Sequence, residues 1–418
     1  MKVLMASWSW EPVGGDWTYI NNVKTLYENN GYEVIPFSTY IEGKTEKKDH
    51  FVKAYDYKSL NKNKGLLNGF KAMKNSVVSI EALKNIDRIL DLHDIKFAHL
   101  HIIHHWLTPA IIWKLKKRNI PVIWSLHEYK IICPEGTFVS GNKVCEKCKG
   151  GNFFQCALNR CKKGSLGSSV LASIDAYYYH RSGVYNKVDA YLCPSEFLQK
   201  KFIEYGFSSD KMKLSNLCYD ISVIDDFIAK DSGGELKDAG EKYILYVGRI
   251  ETNKGIATLL NAIEGTGIKL KLAGTGSFSE EMQRIVSEKG MKNVEILGFQ
   301  DKASVFQLTM QCSFVVCPSE WYENYPYSVI ESLLFSKPVI GANIGGIPEL
   351  VVDGSTGFLH EPGNATELRE KILHLWQNDD LVKVMGKHAR EHAYSRVNFE
   401  KHWKFLENII DHLAFRKN

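Results

Sequence analysis

Glu323 and Glu331, separated by seven residues with Pro326 between them, form the pair in this sequence best spaced to act together. They lie in FVVCPSEWYENYPYSVIESLLF, where an apolar β-rich run gives way to a helical pattern. Proline is favoured in the first turn of a helix, so the helix is predicted to start near Pro326. Glu323 then sits in the loop before the helix and Glu331 lies inside it. The backbone N–H groups of Asn324, Tyr325 and the first helical residues are left to hold phosphate oxygens. A carboxylate one turn deeper can accept both hydroxyls of a ribose. Arg249 and Lys254 in YVGRIETNKG add two cations just after another strand, with Gly248 and Gly255 permitting close approach. Such a pair suits a diphosphate, and the guanidinium fork matches phosphate geometry. Gly14 and Gly15, between the first strand and a helical pattern, can cradle an anion or simply make a tight turn.

A second group of chemically able residues is the set Cys145, Cys148, Cys156 and Cys161, spaced C-x2-C-x7-C-x4-C in a Gly- and Lys-rich insert at 141–164. In a cytosolic chain this spacing suggests structural Zn²⁺, with two disulfides or four free thiols as the open alternatives. Cys133, Cys193 and Cys317 read as small buried apolar residues. His99, His101, His104 and His105 crowd together without an acidic or cysteine neighbour, and packing is the expectation for them. Two basic amphipathic stretches, Lys58–Lys74 and IIWKLKKR ending at Arg118, are read as surfaces for an anionic bilayer.

The elements that must position these residues follow from pattern. Short β-rich runs alternate with helical ones from end to end, which predicts parallel sheets covered on both faces. With 418 residues the chain exceeds a single core, so two doubly wound α/β domains are expected. Residues 1–220 form the first, 221–242 a polar linker and 243–396 the second, with a last helix over 397–418. Ligands of such sheets sit beyond the carboxyl ends of the strands, so the cleft between the two domains is the expected site. No apolar run is long enough to span a bilayer, and the N-terminus reads as a buried strand rather than a signal peptide, which predicts a cytoplasmic protein. Residues 1–220 hold 31 Lys and Arg against 21 Asp and Glu, whereas residues 221–418 hold 22 against 27. That basic first half suits a phosphorylated ligand or the inner membrane face. Nucleic acid is not expected, for no recognition motif is present.

Taken in order, VGR…NKG, Glu-x7-Glu, KPVIGANIGGIPELV and GSTGFLHEPGN resemble a glycosyltransferase family 4 enzyme of the GT-B fold over nearly the whole chain. The resemblance implies two Rossmann-like domains and retaining transfer of a hexose from a nucleotide-diphosphate sugar to an acceptor hydroxyl on a glycan or lipid carrier. Bacterial surface-polysaccharide or glycolipid assembly is the setting it implies. Arg249 and Lys254 would hold the diphosphate, Glu331 the ribose and Glu323 the transferred sugar. Gly15 would approach the donor from the first domain, and His127 in WSLHEYKIICP would sit beside the reacting centre. The last helix would cross back onto the first domain. No Asp-x-Asp motif stands at a strand end, so two cations and a helix N-terminus would replace a metal and no cofactor is required. A sugar-nucleotide epimerase, a phosphorylase and a non-catalytic nucleotide-sugar-binding protein are the rival readings.

Overall fold

The computed structural model of the protein describes all residues except 12–13, 55–76, 105, 216, 233–240 and 416–418. Val122–Ser125, Ala190–Cys193 and Val339–Ala342 are buried at every position, as strands covered on both faces must be. Six runs make the first sheet: β1 (Lys2–Ala6), β2 (Glu33–Phe37), β3 (Ile95–Leu100), β4 (Val122–Ser125), β5 (Ala190–Cys193) and β6 (Met212–Leu214). Their order is β6-β5-β4-β3-β1-β2, all parallel. The second sheet holds β7 (Ile244–Val247), β8 (Leu270–Ala273), β9 (Val294–Gly298), β10 (Val315–Cys317), β11 (Val339–Ala342) and β12 (Gly357–His360). It runs β9-β8-β7-β10-β11-β12, again parallel, and so switches direction between β7 and β10. The loops bearing Arg249, Lys254 and Glu323 leave the carboxyl ends of those two strands.

Helices flank both sheets. Those that matter below are α1 (Gly14–Asn29), α2 (Ile80–Leu92), α3 (Ile111–Lys117), α4 (Phe154–Leu158), α5 (Leu166–Arg181), α6 (Glu196–Glu204), α7 (Ser222–Ser232), α8 (Ile256–Ile263), α9 (Ser279–Glu288), α10 (Lys302–Gln311) and α11 (Tyr327–Leu334). The chain then adds α12 (Ile347–Leu350), α13 (Ala365–Trp376), α14 (Asp379–Arg396) and α15 (Phe399–Phe415). From α15, Trp403 meets the rings of Tyr27 and Tyr32, and His402 that of Tyr19. One apolar cluster is continuous from Val3, Met5 and Val23 at the first sheet, through Leu217–Tyr219 and Leu406 of α15, to Leu333 and Val339 at the second.

Two expectations change. The segment read as a linker is helical over Ser222–Ser232, because Ile224, Phe227 and Ile228 repeat at helical spacing beneath the neighbouring glycines and lysines. Phe227 packs edge-on to Phe306 and Phe335, and Arg390 pairs with Asp225. The stretch IIWKLKKR does not offer a bilayer an apolar face. As α3 it buries Ile111, Ile112 and Leu115 in the core, while Lys114, Lys116 and Arg118 pair with Asp87, Asp189 and Asp91. The Lys58–Lys74 stretch lies outside the described residues, as does His105. His99, His101 and His104 are buried, as packing required.

Candidate active site

The β10–α11 loop turns Glu323 inward until it is buried. Its Oε1 accepts from Lys254 Nζ at 2.5 Å, Ser319 Oγ at 2.7 Å and Trp321 Nε1 at 2.7 Å. Burial alone would raise the Glu323 pKa, but the Lys254 charge and these three donors outweigh it and hold the carboxyl below its ordinary range. Oε2 accepts none of the three. Lys254 reaches this place because Gly255 has φ +70° and no side chain. A β-carbon there would stand 1.9 Å from the Pro318 carbonyl oxygen. The same device acts from the other side, where Gly346 donates its N–H to the Glu323 carbonyl at 2.7 Å and a β-carbon would meet the Asn324 oxygen at 1.7 Å.

Pro326 takes the N-cap position of α11 and no side chain caps the helix, so its N-terminal N–H groups are not answered by a cap. Glu331 is buried one turn in and pairs with Lys302 at the start of α10, while Lys302 also lies over the Phe306 ring at 4.8 Å. Arg249 is exposed at the end of β7. Tyr325 is buried in the core, which leaves only its backbone for a ligand. Gly15 comes within reach of α11, since a β-carbon on it would meet Tyr327 Cδ2 at 3.3 Å. Gly14, at φ +85°, has open space around it and serves the turn.

At the end of β4, His127 has one hydrogen-bonded ring nitrogen and an acidic neighbour near the other. Nε2 lies 3.1 Å from His101 Nδ1 and Nδ1 lies 3.5 Å from Asp16 Oδ1. Burial, then the His99 and His127 rings, push the His101 pKa well below its ordinary value, so His101 is neutral. Its Nε2 is buried without a partner. The tautomer that avoids a buried unpaired N–H puts the proton on Nδ1, donating to His127 Nε2. His101 stacks on His99 at 4.4 Å, and His99 bonds Tyr27 and Ser125 at 2.8 Å each.

Polar contacts join the two halves around these residues. Asn324 Nδ2 donates to the His127 carbonyl at 2.6 Å, Tyr322 Oη to Glu146 at 2.6 Å and Tyr327 Oη to the Cys218 carbonyl at 3.0 Å. Glu349 accepts the N–H groups of Glu196 and Phe197 at 2.8 Å each, capping α6 from across the molecule. Asp16, Lys302, Gly346 and Glu349 escaped the sequence reading, and His101, expected only to pack, also meets His127. Lys302 alone carried a usable signal, because it follows a strand end as Arg249 does.

Cys148, Cys156 and Cys161 meet in a small apolar cluster with Phe153, Ala172 and Ala176, while Cys145 ends the preceding hairpin. All four are free thiols, and burial raises those of Cys148 and Cys156 to about 12. Among the described residues no three His, Cys, Asp or Glu side chains are arranged to hold a metal ion.

Residues 13–221 match the family model Glycosyltransferase Family 4, and residues 227–392 match Glycosyl transferases group 1. An uncharacterized glycosyltransferase of Methanocaldococcus jannaschii is 25% identical over 99% of both chains. The N-acetyl-alpha-D-glucosaminyl L-malate synthase of Bacillus anthracis is 28% identical over 38% of this chain and 43% of its own. Among solved structures, sucrose-phosphate synthase of Thermosynechococcus elongatus superposes with TM-score 0.71 at 17% identity, over 99% of both chains. Anabaena HepE in complex with UDP superposes with TM-score 0.65 at 17% identity, over 98% of this chain and 100% of its own. With two parallel six-stranded sheets in the GT-B arrangement and family matches on both halves, the chain belongs to glycosyltransferase family 4.

Proposed function

We propose that this glycosyltransferase moves a hexose from a nucleotide-diphosphate sugar to an acceptor hydroxyl, retains the anomeric configuration and needs no metal. The observation that carries the donor reading is the convergence of Lys254 and Glu323 on the loop before the uncapped N-terminus of α11, with Glu331 one turn behind. The helix N-terminus and Lys254 take the diphosphate, with Arg249 beside them at the mouth. Glu331 exchanges Lys302 for the ribose hydroxyls, and Glu323 Oε2 accepts from the sugar. The bond from the anomeric carbon to the phosphate oxygen breaks on the face where the bond to the acceptor oxygen forms. The acceptor proton passes to the departing phosphate oxygen, which emerges as the nucleoside diphosphate. With Nε2 held by His101, His127 orients the donor sugar rather than acting as sole base.

The HepE neighbour was solved with UDP and with UDP-glucose, which supports a nucleotide-sugar donor. Relatives named as an O-antigen chain mannosyltransferase and a poly(ribitol-phosphate) N-acetylglucosaminyltransferase support surface-glycan assembly as the setting. We place the reaction in the cytoplasm, on an acceptor held at the inner membrane face. Thermal shift against UDP, GDP, ADP and their sugars tests the donor reading. A ligand at about 100 times its Kd adds about 2.7 kcal/mol. One nucleotide class should raise the melting point of the wild type but not of Lys254→Ala, and EDTA should leave the shift unchanged. An EDTA-sensitive shift refutes the cation clamp, and no shift with any nucleotide refutes the donor reading.

A further inference from the structure

Helix α5 buries Ser169, Ala172, Ser173, Asp175, Ala176 and Tyr179, and shows solvent Leu166, Val170, Ile174 and Tyr178, which are 52%, 39%, 54% and 42% exposed. These four recur at every fourth residue and so form one slowly winding stripe. The inward face is fixed by specific contacts, for Ser173 Oγ donates to the Phe153 carbonyl at 2.8 Å and α4 packs against α5. The stripe is therefore not a helix turned by accident. Helix α4 adds Phe154 and Leu158, 55% and 60% exposed. Large apolar side chains gathered like this mark an interaction surface.

Charge selects the partner. Residues 154–181, which span both helices, hold Arg160, Lys162, Lys163 and Arg181 against one acid, Asp175, and that acid is buried, whereas Lys149, earlier in the insert, is paired with Glu204. On α2, which packs against α3, Asp87 and Asp91 are taken up by Lys114 and Arg118. Tyr178 on the stripe is the ring type that settles at a membrane–water boundary. A second copy docked face to face would set these cations against their own images. An anionic surface with an apolar interior meets both demands.

We propose that the α5 stripe, with the cations around it, is a docking face for an anionic lipid bilayer. This gives a location to the membrane-held acceptor of the proposed function and rests on that reading only for its purpose, since lipid binding is measured without a sugar donor. The test is co-sedimentation of the full chain with phosphatidylcholine vesicles, with and without phosphatidylglycerol, at low and high salt. The wild type should pellet only with the anionic vesicles and be released by salt. Val170→Ser with Ile174→Ser, and separately Arg160→Gln with Arg181→Gln, should each weaken partitioning about tenfold or more. Both variants should keep the wild-type nucleotide-induced thermal shift, which reports an intact fold and donor site. Equal pelleting of the Ser variant and the wild type overturns the proposal. So does a failure of the wild type to bind either vesicle. A wild-type dimer that the Ser variant converts to monomer, without vesicle binding, assigns the face to self-association instead. Loss of the nucleotide shift in every form, with lipid binding intact, would sink the donor reading and leave the docking face standing.

Discussion

Lys254 and Glu323 form a pair with two tasks. Without donor, the ammonium keeps a buried carboxylate charged. In the proposed donor complex the same cation would have phosphate to answer, and Glu323 would keep Ser319 and Trp321 as partners. Glu331 is built alike, held by Lys302, and in the proposed complex it would exchange that partner for a ribose. Replacing Glu331 by Gln removes the charge and leaves the size. Hydrogen bonds to charged groups are worth about 1.5–3 kcal/mol, so nucleotide affinity should fall about 10- to 100-fold in calorimetric titration, with the melting point of the free protein little changed. The pair Glu323 and Glu331 was legible because eight positions of sequence hold a loop and the helix it starts. The contact of His127 with His101 was not, because it spans 26 positions and depends on β3 and β4 lying side by side. Periodicity says that two strands exist, and nothing local says which are neighbours.

At the scale of elements, strand ends did most to place the site, and the sequence marked them well. The helix start expected near Pro326 is one such mark, since Pro326 takes the N-cap of α11. Helix α7 was hidden by the glycines that follow it, since composition over a window outvoted a three-residue period. Contacts between elements from different halves carry no local signal at all, and the Glu349 cap on α6 is the clearest case. A carboxylate on two free N–H groups complements the helix dipole as well as the bonds. Glu349→Ala should lower stability in urea unfolding by about 1 kcal/mol, the usual cost of a lost cap. A Glu349→Asp variant, one methylene shorter, should recover only part of it.

For the whole molecule, pH is the sharpest probe. Burial, followed by the charges of neighbouring histidines, lowers the His99 pKa to about 3, and His101 is also held well below its ordinary value. A histidine depressed in the folded state stays neutral while its unfolded counterpart takes up a proton, so stability is full above about pH 6.5 and is lost as pH falls toward the folded value. Between pH 7 and 5 His99 should subtract on the order of 2 kcal/mol, with His101 acting in the same direction, read by urea titration at the two pH values. His99→Gln should flatten that slope while lowering stability at pH 7, where its bonds to Tyr27 and Ser125 are disturbed.

The apolar cluster that runs unbroken from Val3 to Val339 by way of α15 makes the two sheets thermodynamically one body. Calorimetry should therefore show a single endotherm whose van't Hoff and measured enthalpies agree, although the chain holds two sheets of domain size. Ending the chain after Arg396 removes Leu406 and the aromatic side chains packed around it. It should split that endotherm into two and leave the half with the smaller core to melt first. The last helix would then be the feature that makes melting all-or-none.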